Sequence, residues 1–364
     1  MQLPEPSPAM LANSHQLTNI IAEKIIAQGP ISFADYMQMA LYYPGLGYYS
    51  AGNQKFGPAG DFITAPELSS LFSHTLAHYI TERFATLEHQ NILEFGAGSG
   101  IMAADILLHL AELNQLPEHY YILDLSADLR ERQALTLQQK CPELSHHVIW
   151  LDRLPEHFSG IILANEVIDA MPVHLFHWHD NQLHERMVNR QNGEFCWKDA
   201  PLSAERLATY LAPYLPKLPQ PYISEVNLAC EAWLQSLSDC IDQAEVLIID
   251  YGFPDTIFYH PQRNTGTLMC HYRHLAHGDP FLWPGLQDIT AHVNFSSLAQ
   301  TAVNVGFSVE EYDTQANFLV HHGILHLAER DDIGEQYILG QALKRLLLPT
   351  EMGELFQVLR LRKG

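Results

Sequence analysis

From Gln16 to Met39 the apolar residues recur at helical spacing, with Ile20, Ile21, Ile25 and Ile26 on one side and a break at Gly29-Pro30. An aromatic, glycine-rich loop follows, YYPGLGYYSAGNQKFGPAGDF, and runs into GDFITAPELSSLF. There Thr64 and Glu67 have the T-x-x-E spacing of a capping box, and Pro66 falls in the first turn, where its missing N–H has no intrahelical partner. Between residues 91 and 170 the pattern changes to short apolar runs, NILEFG, YYILDL and GIILAN, with HHVIWL between the last two. Each run ends in a turn and a helical or polar stretch. That alternation predicts parallel strands joined by crossover helices, an α/β doubly wound, Rossmann-like sheet.

From Pro172 to Gln243 the rhythm changes again. HLFHWHDNQLHERMV predicts a hairpin turning at Asp180-Asn181, and SAERLATYLAPYLPKLP a helix that ends at prolines. This part is expected to be an inserted subdomain. The sheet resumes at AEVLIIDYG, and a helix near Ser296 to Val305 leads into FSVEEYDTQ and FLVHHG, expected as closing strands. GQALKRLLLP and GELFQVLRLRKG are expected to be short helices. The chain therefore divides into an N-terminal helical and loop region over 1–85, a sheet core over 86–172, the insertion over 173–243, and the remaining core with C-terminal helices over 244–364.

The 47% hydrophobic content can build a large core, and 20 basic against 42 acidic residues leave a formal charge of −22. Such a charge repels nucleic acid and anionic membrane and attracts a basic protein or a guanidinium. Five scattered cysteines form no C-x-x-C pair, so a reducing compartment is expected. No run approaches the roughly 18 apolar residues of a membrane span, and the first residues lack a signal or transit pattern. A soluble cytoplasmic protein with no nucleic-acid or membrane partner is expected, and a homodimer is left open. The 21 histidines show no H-E-x-x-H or Cys/His ligand spacing, so they read as dispersed surface and core residues and no metal is expected.

The candidate chemistry lies at the ends of the predicted strands. In LEFGAGSGIM a strand ending in Glu94 is followed by Gly96, Gly98 and Gly100, which let the turn bend and a ligand approach the backbone. A dinucleotide fingerprint would need a glycine where Ile101 stands, and the acid before the glycines suits a ligand amine better than a pyrophosphate. The pattern resembles motif I of class I S-adenosylmethionine (SAM) methyltransferases. The next strand ends in Asp124, where an acid can accept both ribose hydroxyls; capping of the following helix is the other reading, and Ser126 could serve that equally. Asp152 is a weaker candidate for the adenine side. In ILANEVIDAMPVH, Asn165 falls on the cofactor side, and Glu166 and Asp169, three apart, could grip a planar guanidinium. They could equally cap a short helix. Asp288 and His292 would be i, i+4 on a helix, making His292 a carboxylate-oriented base, with a structural role as the alternative.

GDFITAPELSSLF, LEFGAGSG, LANEVIDAMPVH, IIDYG, GTLMCHYRH and PGLQDITAHVNF occur in the order that resembles the family of mitochondrial complex I assembly factor methyltransferases, also called the MidA family. The resemblance runs from about Ile31 to Leu359. It implies SAM as cofactor, held by Glu94, Gly96, Gly98 and Asp124, and methylation of a protein arginine beside Glu166 and Asp169. The partner it implies is a protein with an exposed arginine. The family also places the Thr64 to Glu67 segment next to the cofactor, so that helix N-terminus could face the SAM carboxylate, with Gly60 as a flexible approach and the preceding aromatic loop as the moving part. The mitochondrial members have an import leader where this chain begins almost directly at a helix, so a bacterial origin is expected, with a different protein or a small molecule as acceptor. An assembly chaperone that keeps the SAM fold, a small-molecule methyltransferase and a nucleotide-dependent oxidoreductase are the competing classes. The intact acids and glycines argue against a purely binding protein, and Ile101 argues against the oxidoreductase.

Overall fold

The computed structural model describes residues 3–51 and 64–364. Gly60 and the later part of the aromatic loop expected to move, residues 52–63, lie outside the described residues. In chain order the strands are β1 (Ile92–Phe95), β2 (Tyr120–Leu123), β3 (Val148–Leu151), β4 (Phe158–Asn165), β5 (His174–His179), β6 (Gln182–Gln191), β7 (Glu194–Ala200) and β8 (Tyr222–Val226). There follow β9 (Ile241–Phe253), β10 (Met269–Tyr272), β11 (Leu275–His277), β12 (Asp288–Thr290), β13 (Val293–Asn294), β14 (Ser308–Thr314) and β15 (Phe356–Lys363).

The main sheet has the order β14-β15-β9-β4-β1-β2-β3, with β13 paired to the end of β9. Strands β3, β2, β1, β4 and β9 run parallel, whereas β15 and β14 are antiparallel. This is the doubly wound α/β sheet expected. Its strands are apolar on both faces because helices cover both. Ile92, Ile161, Leu163, Leu247 and Ile249 pack with the helices Ser70–Phe84 and Ile101–Glu112. Leu93, Ile162, Ala164, Val246 and Ile248 pack on the other side with Leu228–Cys240 and Phe295–Asn304.

A separate antiparallel sheet, β7-β6-β5-β8, fills the insertion. Its first hairpin turns at Asp180 and Asn181, both at positive φ (50° and 57°), as a two-residue turn between twisted strands requires. The helices Pro8–Gln28 and Phe33–Tyr42 pack on this sheet, where Leu17, Ile21, Phe33 and Met37 share a core with Val173, Leu175 and Val188. Ile31 and Val188 exchange backbone hydrogen bonds of 3.0 and 2.8 Å. A third sheet, β11-β10-β12, lies nearby in sequence and contributes Cys270 and Ile289 to the same core. No described helix is long and apolar enough to cross a membrane.

Two expectations about the C-terminal part are corrected. FLVHHG is not a strand but belongs to the helix Gln315–His321, whose N-cap Thr314 accepts from the Asn317 amide at 3.3 Å, so that Phe318 and Leu319 are buried from one turn. GELFQVLRLRKG is not a helix but supplies the strand β15, inserted between β9 and β14. Phe356 and Val358 enter one core and Leu359 and Leu361 the other, a period of two with both faces covered.

Where β13 joins β9, the backbones approach so closely that a Cβ at Gly252 would lie 2.1 Å from the Val293 carbonyl oxygen. We expect Gly252→Ala to cost about 1–3 kcal/mol of stability through that overlap. Urea unfolding with a midpoint equal to the wild type would show that the two strands can part freely.

Candidate active site

A cleft of about 1140 Å³ opens over the carboxyl ends of β1, β2, β4 and β9, the place where open α/β sheets bind ligands. It exceeds the usual ligand pocket, so it has room for more than one small ligand. Its floor is the turn after β1, in which Gly96, Gly98 and Gly100 have φ of 60°, 55° and 81°, values that L residues with side chains rarely adopt. Gly96 and Gly98 line the cleft, while Gly100 lies behind it, caps the helix Ile101–Glu112 and sits so near Gln133 that a Cβ would be 2.9 Å from the Gln133 Cα.

Glu94 is buried in β1 and accepts from the Tyr120 hydroxyl at 2.8 Å. Burial pushes its pKa up to about 8, and the nearby Asp124 charge adds to this. Asp124, also buried, accepts from the Ser126 amide at 2.9 Å and from Gln133 Nε2 at 2.8 Å. Gln133 further donates to the Gly98 carbonyl at 3.3 Å and accepts from Trp150 Nε1 at 2.9 Å, so it ties the glycine turn to the end of β2. Ser126 caps the following helix, accepting from the Leu129 amide at 3.3 Å. Asp152 is exposed and paired with Arg130 at 2.6 Å at the rim.

Beyond β4, Glu166 holds a positive φ of 53°, and its amide donates to the Ile249 carbonyl at 2.9 Å. A non-glycine residue in that region is uncommon and costs about 1–3 kcal/mol. Burial, then the Asp169 charge, pushes Glu166 up to about 8, opposed by hydrogen bonds from Asn165 Nδ2 (3.3 Å) and from the Ala65 amide. Asp169 is raised by burial, opposed by the Tyr251 hydroxyl, which donates to one of its oxygens, and by the nearby amides of Ala170 and Asp169. The buried Asp250 carboxylate, raised further, accepts from the amides of Ile168 (2.9 Å), Asp169 (3.2 Å) and Tyr251 (2.9 Å).

Thr64 and Glu67 line the cleft too, but not as a capping box. Thr64 occupies the N-cap of the four-residue helix Ala65–Leu68 without a side-chain bond, and the Glu67 carboxylate instead accepts from the Ser99 hydroxyl in the glycine turn. Ser69 interrupts the helix after one turn and caps the next. The Ala65 amide is taken by Glu166, so this helix start serves an acid of the protein itself.

Asp288 and His292 are not one turn apart on a helix, because Asp288 opens β12 and His292 follows it in extended chain. Asp288 accepts from the Tyr49 hydroxyl at 3.0 Å. The His292 ring stacks on Phe253 at 5.3 Å and meets Tyr251 edge-on at 5.1 Å; burial, then the Arg263 charge, pushes it down to about 4. It is therefore a neutral ring at neutral pH, and the helical spacing expected to orient it toward Asp288 is absent.

Thus Thr64, Glu67, Glu94, Gly96, Gly98, Asp124, Asn165, Glu166, Asp169 and His292 meet in one cleft, with Gly100 directly behind. Asp250, Tyr251 and Gln133 escaped the sequence reading. Asp250 carried the same signal as Asp124, an acid at the tip of an apolar strand. Gln133 carried none, being one polar residue among several on its helix.

Residues 75–312 match the model of a family described as "Putative S-adenosyl-L-methionine-dependent methyltransferase". The chain is 30% identical over 377 residues to the mitochondrial protein arginine methyltransferase NDUFAF7 of Danio rerio, covering 93% of this chain and 84% of that protein. Against the Homo sapiens NDUFAF7 the values are 28% over 376 residues, with 92% and 80% covered. Among solved structures, a Burkholderia thailandensis protein bound to S-adenosyl-homocysteine superposes with a TM-score of 0.96 at 41% identity, covering 100% of this chain and 96% of that one.

Two outcomes follow for SAM binding. Asp124→Ala should weaken it at least tenfold through lost hydrogen bonds to a charged acceptor, each worth about 1.5–3 kcal/mol; unchanged calorimetric affinity would remove Asp124 from the site. Glu94, protonated at neutral pH when its pKa is about 8, should lose its proton to take up the ligand's ammonium. Binding at pH 7 should then release protons and tighten as the pH rises toward 8, and heats independent of the buffer's ionisation enthalpy would refute this. Without ligand the same group stabilises the fold fully below its ordinary 4.5, and this contribution is lost as the pH rises through about 8.

Proposed function

The chain belongs to the family of SAM-dependent methyltransferases that includes the mitochondrial NDUFAF7 proteins, and from that premise we propose that it methylates an arginine guanidinium of a protein. One observation carries the finer assignment. Glu166, half-buried, and Asp169, buried, converge on the cofactor cleft, and among the described residues neither forms an ion pair with Lys or Arg. Buried acids without a cation of their own are matched to a ligand that brings one.

The donor set fits the cofactor. Glu94, buried and among the described residues partnered by a tyrosine hydroxyl, suits the ammonium; Asp124 suits the ribose diol; the glycine turn admits the ligand close to the backbone. Bound there, SAM supplies an electrophilic methyl group on its sulfonium. The residues of the chain supply position and charge. Glu166, fixed by its strained backbone and the Ala65 and Asn165 donors, and Asp169, fixed by Tyr251, grip the planar guanidinium and hold one nitrogen in line for attack. Their charge draws the guanidinium's positive charge away from the attacking nitrogen. When that nitrogen gains a methyl group it sheds a proton, and the Asp169 carboxylate beside it accepts it. The neutral His292 closes the wall beside Tyr251 without titrating in this range.

The chain's net charge of −22 favours a basic acceptor protein. The class separates from a chaperone or a small-molecule enzyme by experiment. Lysate from a strain lacking the protein, incubated with methyl-labelled SAM and the purified chain, should yield labelled methylarginine in protein. Label confined to small molecules, or no transfer at all, would refute the assignment. Glu166→Gln should keep SAM affinity within about twofold while turnover falls by about 100-fold or more, since removing such a stabilising group costs about 2.7–4 kcal/mol. Near-normal turnover would defeat the guanidinium clamp.

A further inference from the structure

On the inserted sheet, away from the cofactor cleft, three side chains converge that the function above does not use. His177 and His179 stand two apart on β5 and so share a face, and Asp199 reaches them from β7. One donor atom from each lies within 4.8 Å of the others. His177 Nδ1 is 2.7 Å and His179 Nε2 3.6 Å from Asp199 Oδ2. For a tetrahedral ion with bonds of about 2.1 Å, neighbouring donors are separated by about 3.4 Å, so both distances lie within about 1 Å of that requirement.

The surroundings also suit a ligand set. Asp180 Oδ2 lies 3.2 Å from His179 Nδ1, so in the tautomer that donates to Asp180 the Nε2 lone pair faces Asp199. That is the carboxylate–histidine arrangement by which outer partners orient metal ligands. Among the described residues His179 Nε2 is buried and has no hydrogen-bond partner, and the ring is held by stacking on His184 at 4.7 Å and 16°. Arg186, whose charge Asp199 also feels, lies over the Trp197 ring at 5.1 Å.

We propose that this face of the insertion binds one divalent transition-metal ion, Zn²⁺ by its donor chemistry, through His177, His179 and Asp199, with water completing the coordination. Two imidazoles and a carboxylate favour Zn²⁺ over Mg²⁺ or Ca²⁺, which prefer all-oxygen ligands. A search for ligands close together in sequence misses the site because the sheet brings the third ligand from another strand. The ion would tie β5 to β7 across β6.

The test uses the full chain, stripped of metal by a chelator and titrated with Co²⁺, whose visible absorption is strong in tetrahedral sites. One Co²⁺ per chain is expected, displaced by Zn²⁺, with affinity at least tenfold lower in His179→Ala and in Asp199→Asn. Both variants should bind SAM as the wild type does, which shows that they are folded. His146→Ala, which breaks an unrelated pair of neighbouring histidine rings, should leave Co²⁺ binding unchanged. Absence of binding in the wild type, or equal binding in all variants, would overturn the proposal.

Discussion

Three backbone amides, those of Ile168, Asp169 and Tyr251, converge on the buried carboxylate of Asp250. The chemistry of the cleft depends on this constraint. It fastens the chain leaving β4 to the end of β9, in the stretch where Glu166 takes its positive φ and Asp169 meets Tyr251. The same chain then runs into β5, so the insertion and the N-terminal helices packed on it are placed relative to the cofactor floor by the same anchor. Amide donors compensate part of the burial of Asp250, which lets an acid sit there with no lysine or arginine paired to it among the described residues.

The second organising fact is electrostatic. Glu94 and Asp169 are buried and Glu166 half-buried at the carboxyl ends of parallel strands, and desolvation raises all three. In the ligand-free protein the cheapest solution is to keep protons on some of them. Under the function proposed above, a cationic cofactor and a cationic acceptor would each replace such protons, so that binding and charge balance become one process. The net charge of the chain acts at longer range in the same direction. The acids are destabilising features kept at the site, and the apolar sheet beneath them offsets their cost.

Much of this was legible in the sequence. The parallel core was readable because strands covered on both faces become continuous apolar runs, and the acids were readable because they stand at the tips of those runs. What failed has specific causes. The apolar positions Phe356, Val358, Leu359 and Leu361 serve two cores in alternation, and interleaved with Gln357 and Arg360 they read as helix. Phe318 and Leu319, adjacent and buried by one short helix, read as strand. Thr64 and Glu67 have capping spacing, yet Glu67 found Ser99, a residue distant in sequence. His292 and Asp288 were matched by helical spacing in a segment that is extended. Gln133 acts through three contacts that only the fold brings together.

The central claim, that buried carboxyl groups stay neutral until a cationic ligand arrives, is tested most directly by infrared difference spectroscopy of the protein with and without SAM at pH 7. Loss of a protonated-carboxyl stretching band on SAM addition, absent from the Glu94→Gln variant, is the expected result. A band that persists unchanged when SAM is bound, or one that was never present in the free protein, would contradict it.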